Sequence, residues 1–163
     1  MGDTLIPYVF RFLMYTAFGL TMETLFAVDG IERCLGCKVH RRVPKKYLEG
    51  FVSLYMIPLH GLGLLFGFEF LHGVIRGAAW PLRYLAYCVL ITTCEAAWGF
   101  FLDKTVGFYS WDYNADSRFK VFKRGYTLWT LVPLWGLIGL VLEVYTDLMI
   151  WLSPSVVAFF LAW

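Results

Sequence analysis

The sequence predicts an all-α integral membrane protein: a helical bundle of four transmembrane helices followed by a C-terminal interfacial or re-entrant apolar segment. Three observations predict it. Of the 163 residues, 60% are hydrophobic and only 16% are charged, with a mean hydropathy of +0.64, whereas soluble domains carry roughly a quarter charged residues. Four apolar runs each approach the ~20 residues that a helix needs to cross a bilayer. The basic residues collect between those runs, six of the 14 in residues 29–50 and five in residues 104–124. A soluble core is thereby excluded, and residues 1–163 read as a single membrane domain.

The first span is expected over residues 5–28, with Arg11 near its start and Glu23 near its end. No basic segment precedes this run and no Ala-x-Ala-like site follows it, so it reads as a span and not as a signal peptide. The loop 29–50 holds the segment CLGCKVH and then the run RRVPKK. The second span, 51–75, carries Pro58, His60, Glu69 and His72; the third, 80–102, carries Arg83 and Glu95. The loop 103–124 contains FYSWDYN, four aromatic rings around Asp112. The fourth span is expected over 125–146 with Glu143 inside it, and residues 147–163, with Asp147 and Pro154, form the apolar tail.

With four spans the two basic loops share one side. The excess of Lys and Arg assigns that side to the cytoplasm, and puts both termini on the outer side if the tail does not cross. The run Arg41, Arg42, Lys45 and Lys46 is suited to anionic lipid headgroups, and nothing in the chain points to nucleic acid.

In order along the chain stand Phe18-Gly19-x-x-x-Glu23, Pro58-Leu59-His60-Gly61-Leu62-Gly63, Glu95-x-x-x-Gly99, Trp111-Asp112-Tyr113, Gly125 and Trp135-Gly136. Taken together over residues 15 to 140, this set resembles the transmembrane protein 229 family and the related bacterial proteins classed as candidate ABC-transporter permeases of the CmpB type. The resemblance implies a small helical membrane protein and little defined chemistry. At His60 that family usually carries a tyrosine, and the cysteine-bearing basic loop lies outside its pattern, so both features are particular to this chain.

Candidate functional residues are the ionisable groups inside the spans, because each costs a few kcal/mol at the bilayer centre and faces the bundle interior or water. At about 1.5 Å per residue, His60 lies roughly 13 Å from the loop end of its span, Glu95 roughly 12 Å and Glu23 roughly 7 Å. Glu23, His60 and Glu95, with Asp112 at the mouth, are therefore expected to form a polar pocket open to the loop side. A histidine beside a carboxylate serves as a general base or a proton relay. The alternative is four residues with structural roles: glutamic acids hydrogen-bonded between helices, His60 on a carbonyl, and Asp112 fixing its loop through Lys104, Arg118 or Lys123. Glu69, His72 and Glu143 form a second polar group near the outer face.

Cys34, Cys37 and His40 supply three of the four ligands that structural zinc requires, so a metal there needs a partner chain. His60 and His72 are separated by roughly 18 Å of helix and cannot share one haem or pigment metal. No resident cofactor is predicted, with zinc, haem and a pigment as alternatives. Walker A, G-x-S-x-G and H-E-x-x-H motifs do not occur, so an ABC-type permease needs a separate ATPase chain. Gly61, Gly63, Gly67, Gly136 and Gly139 thin the helix surfaces for close packing. The spacings Gly19-Leu20-x-x-Glu23 and Gly139-Leu140-x-x-Glu143 match, which suggests a remote repeat.

Three functional classes fit these features. The first is a non-enzymatic membrane component, either a subunit of a larger complex or a permease-like element, with lipids, further copies or other membrane subunits as partners. The second is a membrane enzyme acting on a lipid or other hydrophobic substrate through the Glu and His site. The third is a haem- or pigment-binding subunit.

Overall fold

A computed structural model describes residues 2–39, 50 and 52–162. Among the described residues it is helical throughout the apolar runs, with one isolated antiparallel bridge, Lys120 to Leu128. Four helices are long and apolar enough to cross a membrane: Leu5–Val28, Leu54–Ile75, Trp80–Thr105 and Val132–Leu161. They form an antiparallel bundle in which residues 36–39, 52–53 and 106–131 share one end, the loop end, while the short 75–80 connection, Gly2 and Ala162 lie toward the opposite end.

Helix α1 (Gly2–Leu25) passes through one wide π-helical stretch, Phe26–Gly30, into α2 (Ile31–Leu35). Residues 29–35, expected as loop, thus prolong the first helix. Ile31 and Leu35 are buried against Leu128 and Leu131, and this burial offsets the cost of ordering the extra turns. Gly36, in the left-handed conformation at φ 69°, ends α2.

The second span changes pitch along its length, from a single 3-10 turn at Leu54–Met56, through a π-helical segment Leu59–Phe68, to α3 (Glu69–Ile75). Pro58 stands at the entrance to the wide turns, and it lacks the amide that would close a regular α turn. Gly61, Gly63 and Gly67 weaken the α preference of the wide segment itself. Helix α4 (Trp80–Thr105) begins with Pro81 in its first turn, and α5 (Val132–Leu161) begins with Pro133.

Helix α5 requires a correction to the expected boundaries. The fourth span starts at Val132, not near residue 125, and residues 147–161 continue the same helix through Pro154 instead of forming a separate interfacial or re-entrant tail. Leu142, Thr146, Met149 and Ser153 are all buried, so a single packed stripe runs across the expected break. At 1.5 Å per residue α5 is about 45 Å long, more than the ~30 Å hydrocarbon core.

Helix α4 packs chiefly on α5, and the first span packs on the π-helical segment and on α5. Small residues make those approaches close. A Cβ at Gly61 would overlap Phe12 and Thr16, and one at Gly136 or Gly139 would overlap Tyr84 or Tyr87. Large apolar side chains such as Phe66, Val89, Val144 and Trp151 point outward, as suits a lipid-facing surface.

Candidate functional site

Ionisable side chains gather in two layers of the bundle. In the layer nearer the loop end, Glu23 on α1 meets His60 on the second span, with Oε1 3.0 Å from Nε2. The two atoms are close, but their alignment is not that of a hydrogen bond. The π-helical pitch and Gly19 bring them together, because the His60 ring fills the space where a Cβ of Gly19 would stand. Both side chains remain partly accessible, at 19% for His60 and 29% for Glu23.

Glu95 on α4 is held from two directions. The Thr127 hydroxyl and the Trp135 indole N–H, the latter at 2.9 Å, both donate to its Oε2. The expected meeting of His60 with Glu95 does not occur as a hydrogen bond or ion pair among the described residues; Glu95 turns instead toward the 106–131 connection and α5. Sequence spacing carried no signal for Thr127 or Trp135 as partners of Glu95, because both lie more than 30 residues away along the chain.

Asp112 does not join this layer. It is exposed, opens a single 3-10 turn (Asp112–Asp116) and takes no side-chain hydrogen bond or ion pair among the described residues. The anchoring expected of Asp112 falls to Asp103, whose carboxylate receives Arg124 and the Tyr126 hydroxyl. Aromatic groups complete the anchor: the Trp111 indole donates to the Tyr126 carbonyl at 2.7 Å and the Tyr109 hydroxyl to the Arg124 carbonyl. Burial, then the charge of Asp112, pushes the Tyr109 phenol up to about 12. Gly125, at φ +75°, makes the turn between these partners, and a Cβ there would strike the backbone of Asn114 and Ala115.

The second layer, toward the opposite end, is larger than the expected trio of Glu69, His72 and Glu143. Arg11 Nε lies 2.8 Å from Glu69 Oε1, which also accepts from the Tyr15 hydroxyl at 2.7 Å, and Arg11 reaches Ser153 at 3.2 Å. Arg83 Nε lies 2.8 Å from Glu143 Oε1, which accepts from the Tyr87 hydroxyl at 2.7 Å. His72 lies between Asp147 and Glu143, at 3.1 and 3.8 Å. Arg11, Arg83 and Asp147 were visible as intramembrane charges, but their partners were not, because each pair joins residues on different spans.

The matching Gly-Leu-x-x-Glu spacings share one packing rule. Gly19 and Glu23 both meet His60, and Gly139 and Glu143 both meet Tyr87. Residues four apart lie on one helix face, so the glycine admits a ring and the acid binds its polar end. The partners come from the second span for the first and from the third for the fourth, the reverse of a tandem repeat.

At the loop, Cys34 and Cys37 are free thiols packed against Ile31, Leu35, Leu128 and Leu131. Burial pushes the Cys34 thiol above its usual range, which disfavours the thiolate that ligation requires. Among the described residues no group of three or more His, Cys, Asp and Glu side chains is arranged for a metal ion. His40, the third of the expected ligands, and the headgroup residues Arg41, Arg42, Lys45 and Lys46 lie outside the described residues. Two cavities open on the bundle surface, of about 300 and 240 Å³, lined by Leu54, Tyr55, Trp98 and Phe101 among others and by Leu20, Thr21, Thr24 and Leu25. Neither is lined by Glu23, His60, Glu95 or Asp112.

The family model described as Putative ABC-transporter type IV, of the CmpB kind, matches residues 10–161. The chain belongs to that family. No curated protein and no solved structure matches it. The match extends through both polar layers of this ABC-transporter type IV chain and through the end of α5, so the fourth helix belongs whole to the family unit.

Proposed function

We propose that this CmpB-type chain is a non-enzymatic membrane subunit of a transport-type assembly, working as several copies or together with other membrane chains. One observation carries the reading: Arg11 pairs with Glu69 and Arg83 with Glu143 across spans, while the two cavities described above are lined mainly by apolar side chains and by none of the charged ones. A catalytic pocket needs a polar group facing space for a substrate, whereas buried pairs hold helices in register. Family membership and the four apolar helices agree with a transport-related component. The ordered motifs further support kinship with the transmembrane protein 229 family, and this role calls for no resident metal or pigment.

The two basic loops support an orientation with the loop end in the cytoplasm and both termini outside. In that orientation a separate ATPase chain would dock on the loop end. Mass spectrometry of the full chain released from native membranes into detergent tests the reading. The expected spectrum contains two or more copies or a further membrane or ATPase chain; a monomer with no bound protein overturns it.

The contact between Glu23 and His60 favours one second reading, a membrane enzyme whose histidine acts as a base on a hydrophobic substrate. Its support is the partial accessibility of both side chains. If a phenotype assigned to the chain survives in His60→Ala, the enzyme reading fails and the subunit reading stands.

A further inference from the structure

His72 is enclosed by two carboxylates from α5. Its side chain is 8% exposed, with Nε2 3.1 Å from Asp147 Oδ1 and Nδ1 3.8 Å from Glu143 Oε1. Nδ1 is buried and has no hydrogen-bond partner. A neutral imidazole has one N–H and one lone pair, so with a carboxylate facing each nitrogen it always turns the lone pair toward one of them. The imidazolium alone presents an N–H to both.

The charge balance of the layer leads to the same place. Arg11 and the Tyr15 hydroxyl on α1 engage Glu69 of α3, while Arg83 and the Tyr87 hydroxyl on α4 engage Glu143 of α5. Two guanidinium groups thus face three carboxylates, and Asp147 is the one that no arginine meets among the described residues. A proton on His72 brings the layer to neutrality, and charges left unmatched in a low-dielectric bundle are costly. The Asp147 side chain is 54% exposed, so this carboxylate, unlike Glu143, can be reached from outside the bundle.

We propose that His72, Glu143 and Asp147 form a proton-binding site: one proton enters past Asp147 and is held on the His72 ring between the two carboxylates. This goes beyond the subunit reading and does not depend on it. Arginine does not lose its proton in proteins, and imidazole is the one side-chain type in the layer built to carry a proton on either nitrogen, so the ring is the group placed to take it.

Nitrogen NMR of ¹⁵N-histidine-labelled full-length protein in nanodiscs tests the site, with the His72 signal assigned by its loss in His72→Gln. Between pH 8 and pH 5 the ring is expected to pass from one N–H to two. In Asp147→Asn, a mild change at a half-exposed position, proton uptake is expected to require a pH lower by about one unit, because a carboxylate next to an imidazole favours its charged form. A ring that keeps one protonation state throughout that range, neutral or charged, overturns the proposal. So does uptake unchanged in both Asp147→Asn and Glu143→Gln.

Discussion

His60 Nε2 lies 3.0 Å from Glu23 Oε1, with the imidazole ring lodged where Gly19, one turn earlier on the helix of Glu23, has no side chain. The contact between the first and second spans therefore depends on a hydrogen atom at residue 19. In Gly19→Ala the new methyl and the ring compete for the same space, and the expected loss is about 1–3 kcal/mol, the usual cost of overpacking. Gly67, with open space around its Cα, is the control. Thermal unfolding in detergent should fall for Gly19→Ala and hold or rise for Gly67→Ala; equal behaviour of the two variants would show that the ring does not sit against Gly19.

Arg11 and Glu69 join the first and second spans through a pair that is mostly removed from solvent. Arg11→Met leaves a carboxylate without its cation, and breaking a buried pair on one side costs about 3–5 kcal/mol. Replacing both residues, as Arg11→Met with Glu69→Leu, removes the stranded charge, so the double variant should be more stable than Arg11→Met alone. Reversible unfolding in mixed micelles measures all three.

Asp103 and Asp112 exchange the roles that residue order suggests. Asp103→Asn weakens the hold on Arg124 and Tyr126 and should lower the unfolding temperature, whereas Asp112→Asn, at an exposed position with no side-chain hydrogen bond or ion pair among the described residues, should not. Differential scanning calorimetry of the two variants decides between them. A drop for Asp112→Asn alone would return the anchor to Asp112.

Tyr109 should give the loop an alkaline limit. Its phenol is pushed up to about 12 in the folded chain, first by burial, against an ordinary tyrosine near 10. A group that binds its proton more tightly when folded contributes stability that is fully present below about pH 10 and is lost as the pH climbs toward 12. Tyr109→Phe removes that titration, so its stability should fall less steeply than that of the wild type over this interval. Unfolding temperatures at pH 9, 10, 11 and 12 track the difference, and parallel curves would refute it.

Much of the architecture was legible in the chain because hydrocarbon allows so few solutions. A helix satisfies its own backbone hydrogen bonds, so long runs such as Trp80–Thr105 become spans almost wherever their side chains point. Boundaries were less legible. The run into α2 and the continuation of α5 past Tyr145 rest on partners distant in sequence, Leu128 for Ile31 and Tyr15 for Met149.

The candidate residues divide in the same way. Rise per residue put His60 and Glu95 at one depth with Glu23 nearer the loop end, and the structure brings Glu23 up against His60. Rotation about the helix axis and the partner across it are not local. Hence Glu95 goes to Thr127 and Trp135 instead of His60, and the loop anchor expected of Asp112 with Lys104, Arg118 or Lys123 is made by Asp103 with Arg124 and Tyr126.

By itself the sequence determined an all-helical bundle with four helices long and apolar enough to cross a membrane, because apolar length is a property of a single stretch of chain. Only the tertiary structure decided which charge meets which: Arg11 with Glu69, Arg83 with Glu143, and His72 between two carboxylates. Those pairings depend on how four helices are rotated against one another, and that rotation is set by all the close contacts at once, from Gly19 on His60 to Gly139 on Tyr87.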